Sequence, residues 1–168
     1  MNALRWLLPL PLGLQALAML VDELHFHRRR GLGAWERIGH PLDTLTVLAC
    51  LTWARFVAPS DRAIAIYAVL ALASCLFITK DEAVHAAACR AGEHWLHSIL
   101  FVVHPMSLAS IGLVWPALHA APGEGPSWLR GVPVAAMVTT QLALTSAFFL
   151  YQLLYWNLPW RRRPSPTR

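Results

Sequence analysis

Five long apolar stretches, roughly residues 6–21, 42–58, 63–79, 95–118 and 132–156, alternate with short polar segments along the chain. Each is near the ~20 residues that carry a helix across the hydrocarbon core of a bilayer. The second and third are short, and the second holds Asp43 and Arg55 near its ends. The pattern predicts an all-α integral membrane protein, a single domain with five spanning helices.

The polar segments after the first and third stretches repeat one another. Asp22 and Glu23 are followed by His25 and His27, then by Glu36 and His40; Asp81 and Glu82 are followed by His85, then by Glu93 and His97. Each copy lies between two apolar stretches, so the repeating unit is a helical hairpin of about 60 residues, covering 3–58 and then 62–118. Glu23 and Glu36 are thirteen steps apart and Glu82 and Glu93 eleven, so the loop absorbs an insertion. Both hairpins cross the membrane in the same sense. The expected arrangement is an up-down-up-down four-helix bundle with a pseudo-two-fold axis along the membrane normal. The fifth helix, about 132–157, is expected to pack outside it, followed by a basic tail, 158–168.

Composition sharpens the class. A chain of 168 residues that is 57% hydrophobic and 14% charged does not suit an ordinary soluble domain. With the N-terminus outside, Arg28, Arg29, Arg30, Arg37, Lys80 and Arg90 fall on the inner side, together with Arg161, Arg162, Arg163 and Arg168. Arg5, Arg55, Arg62 and Arg130 fall on the outer side. Ten against four follows the positive-inside rule, so the C-terminus and both polar repeats are expected on the cytoplasmic side of a bacterial-type inner membrane. Trp6, Trp53, Trp115 and Trp128 mark one interface, and Trp35, Trp95, Trp156 and Trp160 the other. Ala16-Leu17-Ala18 imitates a signal-cleavage site. The second repeat keeps a full helix at the corresponding place, so retention of the first helix as an anchor is expected. The net charge of +5 is explained by topology and by anionic lipid, and no nucleic-acid module is visible. The expected partners are the bilayer and a lipophilic small molecule, with no nucleic acid; the oligomeric state stays open. Cys50 and Cys75 lie in expected helices and Cys89 in an inner loop, without CxxC spacing, and read as small core residues and a loop thiol.

The repeated polar segments carry the candidate chemistry, for they hold six of the eight histidines. Residues four apart on an α-helix share a face, so Glu36 with His40 and Glu93 with His97 can each aim a carboxylate and an imidazole at one centre. Glu82 with His85, three apart, can do the same. Glu23 shares a face with His27, whereas His25 projects elsewhere and pairs with Asp22, which ranks His27 above His25. Eight residues are thus expected as metal ligands: Glu23, His27, Glu36, His40, Glu82, His85, Glu93 and His97. Asp22, His25 and Asp81 form a second tier, in which Asp22 and Asp81 would hold histidine N–H groups. Four carboxylates would be neutralised by two divalent ions, which favours a dinuclear site. Ordinary interfacial polarity explains any one of these residues, but it explains the duplicated set poorly. Asp43 lies on the Glu36 stripe, and His104 lies seven residues after His97, about 10 Å deeper in the membrane. Both are candidate catalytic residues, although an interhelical hydrogen bond explains His104 equally well. Pro105 beside it is placed to kink the helix.

The four carboxylates and Glu82-Ala-Val-His85 resemble the ferritin-like di-iron carboxylate bundles, which use Glu-x-x-His motifs from antiparallel helices. The resemblance is architectural. Glu36 to His40 and Glu93 to His97 are one residue longer than that motif, and four histidines exceed the usual two. The histidines also resemble those of membrane di-iron hydroxylases and desaturases, but the HxxxH and HxxHH boxes are absent. The resemblance implies iron as the favoured metal, with zinc or manganese as alternatives. The expected function is a di-metal oxidoreductase or oxygenase acting on a lipophilic substrate at the cytoplasmic side. No nucleotide, flavin or nicotinamide motif occurs, so electrons would come from a separate donor. The alternatives are a zinc-dependent membrane lipid hydrolase, with Glu23 or Asp43 shuttling protons, and a non-enzymatic metal-sensing, metal-transport or haem-binding protein.

Overall fold

The computed structural model describes residues 6–82, 85–86, 89–121 and 124–158; Arg5, Trp160 and the basic tail beyond Leu158 lie outside the described residues, as does the side chain of Asp81. The described chain is helical, and no strand occurs in it. Helix α1, Pro9–Val21, continues directly into a π-helical turn, Asp22–His27, and a last turn, Arg28–Arg30. Helix α2 is Ala34–Phe56; α3 is Asp61–Phe77, extended by a 3-10 turn, Ile78–Asp81; α4 is Ala91–Leu118; and α5 is Val134–Asn157.

The helix ends follow local chemistry. Proline opens α1, where a missing N–H costs nothing. Gly31 ends it at φ +77°, a conformation that side chains other than glycine's resist. Ser60 caps α3 by accepting the Ala63 N–H at 3.2 Å. At the start of α2 the Glu36 carboxylate accepts the Gly33 N–H at 2.9 Å, which fixes the side chain at the helix N-terminus.

Three helical segments are long and apolar enough to cross a membrane: Asp61–Lys80, Ala91–Leu118 and Val134–Asn157. The expected first and second spans are helical as well. The first, however, is α-helical only over Pro9–Val21 before the π turn follows, and the helix that holds the second begins with the polar residues Glu36, Arg37 and His40. Outward-facing Leu17, Val69, Leu72, Leu113 and Leu144 are well exposed, as a lipid-facing surface requires.

Helix α4 packs against α1, α2, α3 and α5, and α2 packs against α3, α4 and α5. Helix α5 does more than the external packing expected from the sequence. Its buried stripe of Val138, Thr145 and Gln152, at seven-residue spacing, faces inward. Thr44 of α2 donates to Gln152 at 2.7 Å. A polar group buried at this depth needs such a partner, which explains why α5 seats against α2.

The interior is divided along its length. One end is an apolar core of Leu51, Leu108, Ile111, Val114, Trp115 and Val138. Gly112 lets α3 approach α4 closely, since a Cβ there would lie 3.1 Å from the Tyr67 ring. Tyr67 donates to the Leu108 carbonyl at 2.7 Å and Trp115 to that of Val57 at 2.8 Å, which ties these helices together. His119 donates likewise to the Ala54 carbonyl at 3.0 Å. The other end holds the charged residues of the two repeats.

Candidate metal centre

The duplicated sequence folds into duplicated positions. Glu36 and Glu93 each occupy the third position of a helix, in α2 and α4, and His40 and His97 follow one turn later. His27 comes from the turn that ends α1, and His85 from the helical segment beyond α3. Four imidazoles therefore arrive from four successive elements. Their ring centroids close a quadrilateral: His27 to His40 4.7 Å, His40 to His85 6.0 Å, His85 to His97 4.2 Å and His97 to His27 6.5 Å. The two separations within repeats are short and alike, and the two between repeats are long and alike. The alternation of the distances follows the duplication of the sequence.

Two groups of donors with no residue in common stand in this ring. The ligand atoms of Asp22, His27, Glu93 and His97, all buried, lie within 4.8 Å of one another, and so do those of Glu36, His40 and His85. A third group, His85, Cys89 and His97, overlaps both. Donors about 2.0–2.2 Å from a common ion stand a little over 3 Å apart, so the more widely spaced donors of each group would have to draw in to hold one ion. Mixed imidazole and carboxylate donors suit iron, manganese or zinc. Nδ1 of His97 has no hydrogen-bond partner among the described residues although the side chain is buried, and this too fits a metal-binding environment.

The π turn decides which acid enters the ring. In an α-helix Glu23 would share the face of His27, but π-helical hydrogen bonds span five residues and bring Asp22 into line instead. Asp22 Oδ2 lies 3.1 Å from His27 Nε2, and Asp22 Oδ1 lies 3.2 Å from His97 Nε2. Glu23 turns towards α5, where Tyr151 donates to its Oε1 at 2.5 Å and Trp156 at 3.1 Å. Its other oxygen lies 3.4 Å from His27 Nδ1. Glu23 thus stands behind His27, in the place the sequence reading gave to Asp22.

Arg30 supplies a positive charge inside the acid cluster. It makes two hydrogen bonds to Glu36, at 3.0 and 2.6 Å, and one to Glu93 at 3.0 Å. Burial works against the Glu36 carboxylate, yet the Arg30 and Gly33 hydrogen bonds outweigh it and hold its pKa down to about 2. Burial and the neighbouring Glu93 push the Cys89 thiol up to about 12, so without a metal it carries its proton.

The remaining expected residues fall elsewhere. Glu82 and His25 are exposed and belong to none of the three groups; the His25 ring stands edge-on to Phe26 at 4.8 Å. Asp43 is held by Lys80, whose Nζ lies 2.7 Å from both carboxylate oxygens. His104 is deep in the bundle and fully bonded. Gln15 donates to its Nδ1 at 3.0 Å, its Nε2–H donates to Ser74 at 3.0 Å, Ser74 to Thr46 at 2.7 Å, and Thr46 to the Asp43 carbonyl at 2.7 Å. This is the interhelical tie, and it joins α1, α4, α3 and α2.

A cavity of about 110 Å³ adjoins the ring. Asp22 and the four histidines line it on one side, and Met19, Val47, Leu100, Phe101 and Phe148 supply apolar walls. His104 and Asp43 also face it, so the tie and the cavity share a boundary. The sequence reading missed Cys89, Arg30, Tyr151 and Trp156 at the site. Cys89 had a signal, since it stands four residues after His85, one helical turn on. No protein-family model matches the chain, and neither a curated protein nor a solved structure matches it.

Proposed function

We propose that the chain is a membrane-embedded dinuclear metalloenzyme, an oxidoreductase or oxygenase with iron as its favoured metal, acting on a lipophilic substrate at the cytoplasmic side. The observation that carries this reading is the pair of separate donor groups, Asp22/His27/Glu93/His97 and Glu36/His40/His85, beside a cavity with apolar walls. Interfacial polarity alone would leave such carboxylates and imidazoles in water rather than gather them in a buried ring.

Iron bound at this site would supply redox chemistry with dioxygen. The rest falls to the chain. Asp22 and Glu93 offer two negative charges to one position and Glu36 offers one to the other, while the four imidazoles add neutral donors. Glu23 accepts the His27 Nδ1–H and so leaves the Nε2 lone pair directed into the ring. Met19, Leu100 and Phe101 receive the apolar part of the substrate, and the Thr44–Gln152 pair offers polar contact beside it. Electrons come from a separate donor.

The test is elemental analysis of the protein purified without added metal, read with its absorption spectrum and with oxygen uptake in the presence of a reductant. Two iron ions per chain and oxygen uptake are expected, and a chain that retains no metal overturns the reading. A zinc-dependent lipid hydrolase is the second reading, favoured by the His85/Cys89/His97 group, since a thiolate suits zinc. Two zinc ions, a colourless protein and no oxygen uptake would decide for it.

A further inference from the structure

The two halves of the ring have similar internal spacing, 4.7 Å between His27 and His40 and 4.2 Å between His85 and His97, yet their surroundings differ in three respects. The first is charge: one donor group holds two carboxylates, Asp22 and Glu93, and the other holds one, Glu36. The second is competition. Glu36 is already engaged by two Arg30 hydrogen bonds and by the Gly33 N–H, whereas Glu93 takes one bond from Arg30 and one from the Cys89 thiol. The third is support from behind. His27 is backed by Glu23, a carboxylate that is 3% exposed and fixed by Tyr151 and Trp156 of α5. Glu82, the counterpart of Glu23 in the second repeat, is exposed.

The backing of His27 is a directed set of bonds. Arg28 Nε donates to the Tyr151 hydroxyl oxygen at 3.2 Å, and that hydroxyl donates onward to Glu23 Oε1. Trp156 Nε1 stands within 3.3 Å of both Glu23 oxygens. A carboxylate held in this way can only accept from His27 Nδ1, and with Nδ1 so engaged it is Nε2, 3.1 Å from Asp22, that faces the ring and is left for an ion. None of these three partners belongs to the duplicated hairpins except Arg28, so the fifth helix imposes the asymmetry.

From these differences we infer that the two metal positions are inequivalent. The Asp22/His27/Glu93/His97 position fills first and binds tightly, with Tyr151 and Trp156 as positioning residues that act on His27 through Glu23. The Glu36/His40/His85 position is weaker and exchangeable, and Arg30 must release Glu36 before an ion enters it. The inference rests on the metal-site reading above and assigns different roles to the two ions: a resident ion, and one that is loaded or lost with supply.

The experiment titrates the full chain, stripped by chelator and held in detergent micelles, with Co2+, followed by visible absorption and by competition with a chromophoric chelator. Two binding events at least about tenfold apart in affinity are expected, and Tyr151→Phe should weaken the first by about 10–100-fold while moving the second by less than about twofold. Arg30→Gln should tighten the second event more than the first. Trp156→Phe gives an independent variant should Tyr151→Phe fold poorly, and the absorption band of the first-bound ion should change in either, which a loss of packing alone would not produce. Two events of equal affinity, or a Tyr151→Phe effect shared equally between them, overturn the inference and leave the metal site standing. Failure to bind Co2+ at all overturns both.

Discussion

Asp22 and His27 stand five residues apart and meet at 3.1 Å, across a π-helical turn that places both on the inner face of the bundle. An α-helical turn at the same place would have presented Glu23 with His27 and left Asp22 to one side. The extra residue in the turn therefore selects which carboxylate reaches the ring.

This selection separates two substitutions that the repeated sequence would treat alike. Asp22→Ala should lower metal retention by at least about tenfold, because it removes a buried donor shared by His27 and His97. Glu82→Ala should retain metal at the level of the parent chain, since the side chain is exposed and outside the donor groups. Metal content after gel filtration checks both.

The repeat, the helices and the arrival of one histidine from each of four successive elements were legible in the sequence, because apolar length and helical spacing determine them. The acids were legible only in part. Glu36 and Glu93 sit in regular first turns and point where α-helical geometry puts them, but Asp22 and Glu23 exchange places because a π turn leaves no compositional mark. Tyr151 and Trp156 were hidden for another reason. In an apolar helix that ends near an interface, aromatic residues read as a membrane belt, and only the packing of α5 against the bundle turns them towards Glu23. Arg30 read as a topology signal, for the sequence does not say that the chain folds it back onto Glu36.

His104→Ala should destabilise the protein by about 1–2 kcal/mol, the range for hydrogen bonds between membrane helices, with metal content unchanged. The variant leaves Gln15 and Ser74, both buried, without the ring that joins them. Thermal unfolding in detergent measures the loss, and a matching fall in metal content would make His104 part of the site instead.

Gly112→Ala should cost about 1–3 kcal/mol through overpacking against the Tyr67 ring. Tyr67→Leu in the same chain should recover part of the loss, since it removes the ring that the new methyl meets. A double-mutant cycle on the thermal midpoint tests the coupling.

Cys89→Ser should leave iron content within about twofold of the parent, while weakening zinc binding by about tenfold or more, because a hydroxyl is a poor substitute for a thiolate on zinc. Competition against a zinc chelator checks it. Unchanged zinc affinity would remove the observation that favours the hydrolase reading.

The hydrogen bonds from Gln15 through His104, Ser74 and Thr46 all point one way and end on the Asp43 carbonyl. A carbonyl oxygen only accepts, so the row closes on the main chain rather than on a titratable side chain. Each buried polar group along the row is matched by its neighbour, as the interior of a bundle requires. The row therefore couples four helices, so that a shift of α3 or α4 strains the bonds on both sides of it.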